Sequence, residues 1–126
     1  MAAPSDARYS ETHEWHRLDG DVLTLGLSQF AVNELTDITY VELKPAGTKL
    51  GAGDSVGEVE SVKATSDVYS ALPGEIIEVN AKLEADPSLV NTDPYGDGWL
   101  VKIRPTSTSP YETLMDSETY SGKYDA

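Results

Sequence analysis

Short β-prone runs, each closed within a few residues by Gly, Pro, Asp or Asn, recur along almost the whole chain, and they confine it to a mainly β domain. Strands are expected at Glu14 to Leu18 and Val22 to Leu25, joined by an Asp19-Gly20-Asp21 turn into an N-terminal hairpin. Further strands follow at Ile38 to Leu43, Ser55 to Val62, Thr65 to Leu72, Glu75 to Val79 and Trp99 to Ile103. Ser28 can cap a short helix through Leu35, where Phe30, Ala31, Glu34 and Leu35 form a partial apolar face. Near the end, Ser109, Pro110 and Glu112 spell a capping box and predict a helix to about Met115. Asp116 can cap another through Thr119 and Tyr120, before the polar end SGKYDA frays. No linker interrupts the chain, so residues 1–126 read as one domain with its core at about 9–120.

A chain of 126 residues hides about two-thirds of its unfolded surface on folding, enough for a real core. Cysteine is absent, which excludes disulfides, thiolate metal sites and a thiol nucleophile. No apolar run approaches a membrane span, and the start MAAPSD has neither a signal nor a transit pattern, so a bacterial cytoplasmic protein is expected; a mature mitochondrial chain with a new start would read the same way. Nine basic against 22 acidic residues give a net charge of −13, spread along the chain. That field repels nucleic acid and anionic membranes, keeps a monomer soluble, and favours partners with basic surfaces.

One lysine stands apart. Lys63 lies in ESVKATSD, with Glu60 before it and Asp67 after it, where two β-prone arms must turn. A weak echo, Gly57-Glu58-Val59 and Gly74-Glu75-Ile76, brackets the same region, as a quasi-two-fold β domain would show. A lysine on a tight turn projects clear of the sheet and suits a carrier; acylation would take the net charge from −13 to −14 and remove its reason to pair with Glu60 or Asp67. The simpler reading is a solvated lysine in a weak ion pair, worth at most about 1 kcal/mol.

Five blocks choose between these readings: THEW from Thr12, YVEL from Tyr40, GEVESVKATSDVYS from Gly57, GEIIEVN from Gly74 and NTDPYGDGWLVKI from Asn91. In this order and spacing the chain resembles the glycine cleavage system H proteins, from about Tyr9 to Tyr120. The DPYGDGW block separates that family from other lipoyl-bearing domains. The resemblance implies a barrel-sandwich hybrid of two small antiparallel sheets with short helices, and lipoic acid amide-linked to Lys63 at a hairpin turn. It implies a carrier with no catalytic activity of its own and no catalytic residues. Its arm would visit a pyridoxal-phosphate glycine decarboxylase, an aminomethyltransferase and a dihydrolipoamide dehydrogenase, after loading by lipoate-attaching enzymes.

The resemblance also implies a cleft that shelters the arm's cationic aminomethyl cargo, with Thr12, Glu14 and Asp67 at the matching positions and Glu60 and Asp67 flanking the modified lysine. Two departures touch backbone geometry: Thr36 stands where the family usually has glycine before Asp37, and Ala71 replaces a frequent proline, with Pro73 two places later.

Other chemistry finds little support. His13 and His16 fall in an expected strand and lack a third metal ligand. Ser28, Ser61 and Ser66 lack a nucleophile-elbow setting, and Gly47, Gly51 and Gly53 lack a phosphate-loop ending. Asp93 and Asp97 read as turn formers, and Trp15, Trp99 and the tyrosines as core and rim aromatics. An H-like protein in lipoate relay, a 2-oxo acid dehydrogenase lipoyl domain, and an unmodified acidic binding module or acidic hydrolase stay open; a biotinyl carrier usually has methionines where Val62 and Ala64 stand.

Overall fold

A computed structural model describes residues 4–124. Two antiparallel sheets form its body, one of six strands and one of three, as a mainly β reading with short helices expects. The larger sheet contains β1 (Arg8–Tyr9), β2 (Glu14–Asp19), β3 (Val22–Leu27), β9 (Val101–Pro105), β8 (Gly74–Val79) and β5 (Lys49–Leu50), in that spatial order. The smaller runs β4 (Ile38–Leu43), β6 (Ser55–Ser61), β7 (Thr65–Tyr69).

Local chemistry explains the register. Asp19 pairs with Val22, leaving Gly20 and Asp21 as a two-residue turn, and Gly20 at φ 63° supplies the positive dihedral that twist-matched hairpins need. Alternation along β3 turns Leu23, Leu25 and Leu27 inward. In β6 the inward residues are Val56 and Val59, three apart, because the register slips between Ser55 and Gly57. The two glycines of the sequence echo do the same work in the two sheets. A Cβ on Gly57 would lie 2.2 Å from the Glu42 carbonyl oxygen, and one on Gly74 would lie 2.4 Å from that of Arg104. The central apolar core joins both sheets through Leu25, Val59, Val68, Leu72, Ile76 and Ile103. A second cluster gathers Ala7, Tyr9, Trp15 and Tyr120 at the N-terminal edge.

Helix α1 (Gln29–Leu35) starts as expected, with the Ala31 N–H donating to Ser28 Oγ. Two short helices, α2 (Lys82–Ala85) and α3 (Leu89–Thr92), had no period long enough to announce them. The expected capping box at Ser109 does not form. Thr108 precedes a 3-10 turn, Ser109–Thr113, with no side-chain cap, because the i→i+3 bonding of Tyr111 and Leu114 leaves no α-turn for Glu112 to close. Asp116 does cap α4 (Ser117–Tyr124) by accepting from the Thr119 N–H at 2.8 Å. That helix continues through Ser121–Tyr124, where fraying was expected; Asp125 and Ala126 lie outside the described residues. Thr65 to Leu72 likewise stops as a strand at Tyr69, and its last residues dock elsewhere.

Candidate functional site

Lys63 sits at the tip of the β6–β7 hairpin. Ser61 braces the turn: its hydroxyl accepts from the N–H groups of Lys63 and Ala64, and its own N–H donates to the Ala64 carbonyl. Val62, beside the lysine, is 71% exposed, and its N–H donates to the Asp37 carbonyl, tying the tip to the end of α1. The Lys63 ammonium pairs with neither Glu60 nor Asp67; it donates to the Glu34 carbonyl oxygen at 3.2 Å, at the negative end of α1. The ion pairs among the described residues are Arg17–Asp6, Lys49–Glu75 and Lys82–Asp97.

Helix α1 ends under strain. Thr36 takes φ 65° and ψ −145°, where glycine is at home, and the Asn91 side chain holds it there by donating to the Thr36 carbonyl and accepting from the Ile38 N–H. The missing glycine noted in the sequence therefore marks a real positive dihedral.

A cleft of about 510 Å³ opens where β7 ends, lined by Ser10, Thr12, Glu14, Tyr69, Leu114 and Met115 among others. Two acids line it, the exposed Glu11 and the buried Glu14, which is only 1% exposed. Ser10 Oγ donates to Glu14 Oε1 at 2.6 Å, Thr12 Oγ1 donates to the same oxygen, and the Tyr69 N–H donates to Oε2 at 3.1 Å. Burial is the larger effect and holds the carboxyl above its ordinary value, while these donors pull it back. Ionising Glu14 thus costs stability as pH rises through its folded value. A carboxylate has about four acceptor positions, so one remains for a further donor.

Asp67 is exposed on the outer face of the small sheet. There Glu42 pairs with Glu58 and Glu58 with Asp67, a row of three carboxylates beside a depression of about 420 Å³. Tyr69 stands between the two acids, its N–H on Glu14 and its hydroxyl 3.5 Å from Asp67. Glu60 is half-buried and pairs with Tyr40 and Thr65.

Sequence reasoning missed Ser10 and Tyr69 as partners of Glu14, although the alternation Ser10, Thr12, Glu14 carried a signal for the first. His16 follows Glu14 on the same face of β2 and is fully buried. Its Nε2 accepts from the Ala71 N–H at 3.2 Å, so Glu14 and His16 dock the segment from Tyr69 to Ala71 by side chains where strand pairing ends. Burial lowers the His16 pKa to about 4. Neither His13 nor His16 belongs to a metal-ligand cluster among the described residues.

A two-sheet β domain that offers one lysine on a hairpin tip and a carboxylate-bearing cleft at the end of the same strand defines a carrier of the barrel-sandwich hybrid type. The family model described as glycine cleavage H-protein matches residues 7–125. The chain is 49% identical to a glycine cleavage system H protein of Alteromonas mediterranea, over 97% of this chain and 95% of that one. It is 46% identical to a mitochondrial glycine cleavage system H protein of Oryza sativa subsp. indica, over 90% of this chain and 70% of that one. The crystal structure of a glycine cleavage system H protein from Mycobacterium marinum superimposes with a TM-score of 0.88 at 36% identity, covering 98% of this chain and 99% of that one. The chain belongs to the glycine cleavage H-protein family, the lipoyl carriers of that system.

Proposed function

We propose that this chain carries lipoate on Lys63 and shuttles the aminomethyl group of glycine from a pyridoxal-phosphate decarboxylase to an aminomethyltransferase, then presents the reduced arm to dihydrolipoamide dehydrogenase. The observation that carries this is one exposed lysine on a braced hairpin tip, with a buried carboxylate in a cleft at the far end of the same strand.

The residues fit the group. An extended lipoyl-lysine has about twelve bonds from Cα to sulfur, about 15 Å in all. From Thr65 to Tyr69, β7 runs about 13 Å, so arm and strand are matched in length. Lipoate, when attached, supplies a disulfide that accepts the one-carbon unit and the electrons. The chain's own residues do the rest. Ser61 holds the tip, and Val62, exposed beside the lysine, gives attaching enzymes an apolar contact there. Glu14 offers its remaining acceptor position to a cationic amine, which brings the charge that this buried carboxylate lacks. Asp67, one tyrosine away, adds negative potential at the mouth.

The acidic row on the outer sheet favours partners with basic surfaces. No helix of the described residues is long and apolar enough to cross a membrane. The bacterial cytoplasm is the compartment we assign, with a monomer as the working form. Loss of the aminomethyl group from isolated loaded protein tests the cleft assignment: Glu14→Gln with Asp67→Asn should accelerate it about tenfold, and an unchanged rate would refute it.

A further inference from the structure

We propose that α4 is a positioning element for the cleft: Tyr120 clamps His13 in a left-handed backbone conformation and so keeps Thr12 converged on Glu14. The inference rests on the reading of Glu14 as the acceptor of the cargo amine.

The loop from β1 to β2 shows why a clamp is needed. Ser10 N–H donates to the Glu14 carbonyl and His13 N–H to the Ser10 carbonyl, so Glu11, Thr12 and His13 form a three-residue hairpin loop. Loops of this kind close with a residue at positive φ, and turn chemistry asks for glycine there. This chain has histidine, at φ 74°. The bend it makes folds the Thr12 hydroxyl and the Ser10 hydroxyl onto the same oxygen of Glu14.

What holds the histidine comes from the far end of the chain. His13 Nδ1 lies 2.8 Å from the Tyr120 hydroxyl, which lies 2.7 Å from Ser28 Oγ. In one orientation both hydroxyl protons are used: Ser28 donates to Tyr120, Tyr120 donates to Nδ1 of a neutral His13, and Ser28 accepts from the Ala31 N–H. The His13 carbonyl meanwhile accepts from the Ser28 N–H at 2.9 Å. The imidazole is flanked by Phe30 at 4.5 Å and Tyr124 at 4.6 Å between ring centroids, and Tyr120 stacks on Tyr9 at 4.6 Å. Helix α4 is otherwise polar. Its two rings, one turn apart on one face, are what dock it, and both meet His13. Glycine at position 13 would make the clamp unnecessary, because glycine enters positive φ without a Cβ penalty.

That relation supplies the test. Full-length lipoylated protein is loaded and the rate of aminomethyl loss is measured for Tyr120→Phe, His13→Gly, the double variant and Glu14→Gln. In parallel the Glu14 carboxyl is titrated by carbon NMR in the same variants without lipoate. Tyr120→Phe keeps the stack on Tyr9 and removes one hydroxyl; it should speed loss about fivefold and move the Glu14 titration. Adding His13→Gly should return both to within about twofold of wild type, whereas Thr36→Gly, which relieves a like positive dihedral away from the cleft, should leave the Tyr120→Phe defect in place. An unmoved titration in Tyr120→Phe, or a double variant no better than Tyr120→Phe, overturns the inference. If Glu14→Gln retains its cargo, the assignment of Glu14 fails. If Glu14→Gln loses cargo and Tyr120→Phe does not, the clamp alone fails.

Discussion

Acidification should unlock the cleft wall through His16. The imidazole is fully buried, accepts the Ala71 N–H at Nε2, and its Nδ1 lacks a well-formed hydrogen bond. Protonation is therefore opposed by burial, and the folded pKa falls to about 4 against 6.5 for the free side chain. Because the folded value is depressed, the contribution is complete above about pH 6.5 and is lost as pH falls toward 4, where the unfolded chain holds the proton and the folded one does not. The full difference is about 3 kcal/mol, and about 2 kcal/mol of it is lost between about pH 7 and about pH 5. His13, also depressed by burial, adds a term of the same sign, and Glu14, raised by burial, one of opposite sign. Comparison with His16→Gln cancels both, since the glutamine amide can still accept from Ala71. Urea unfolding followed by the fluorescence of Trp15 and Trp99 at the two pH values should show wild type losing about 2 kcal/mol more than the variant. Parallel losses would mean that His16 is not held neutral by its burial, and the account of the wall would be wrong.

Two further substitutions test the frame around the lysine. Thr36→Gly should raise stability by about 1 kcal/mol and Tm by about 4 °C, because the helix C-cap at φ 65° then carries no Cβ penalty; an unchanged or lower Tm in a thermal melt contradicts the strain. Glu58→Gln removes the middle of three opposed carboxylates and should stabilise by about 0.5 kcal/mol in low salt, a gain that vanishes near 1 M salt in urea titrations. A gain that persists at high salt would assign the effect to packing rather than charge.

Strand placement was legible because alternation and turn residues act locally: Gly20 closes its hairpin and Ser28 caps α1 as expected. The C-terminal segment was less so, since its conformation is decided by distant partners. Met115 exchanges backbone hydrogen bonds with Tyr9, and Tyr120 stacks on that same residue, which no local pattern can announce. Lys63 could be singled out from its turn and its flanking blocks. The burial of Glu14 could not, because it depends on Ser10 and on the N–H of Tyr69, 55 positions away. In the sequence His13 and His16 stand only as strand residues without a third metal ligand. In the fold one is a turn residue held by aromatic rings and the other a buried acceptor.

The carrier assignment itself stands on one covalent bond. Intact mass of the protein purified from lipoate-competent cells, beside Lys63→Arg, measures it directly. The account predicts the addition of a single lipoyl group to the wild-type chain and none to the variant; an unmodified wild type, or an addition that survives Lys63→Arg, would contradict it.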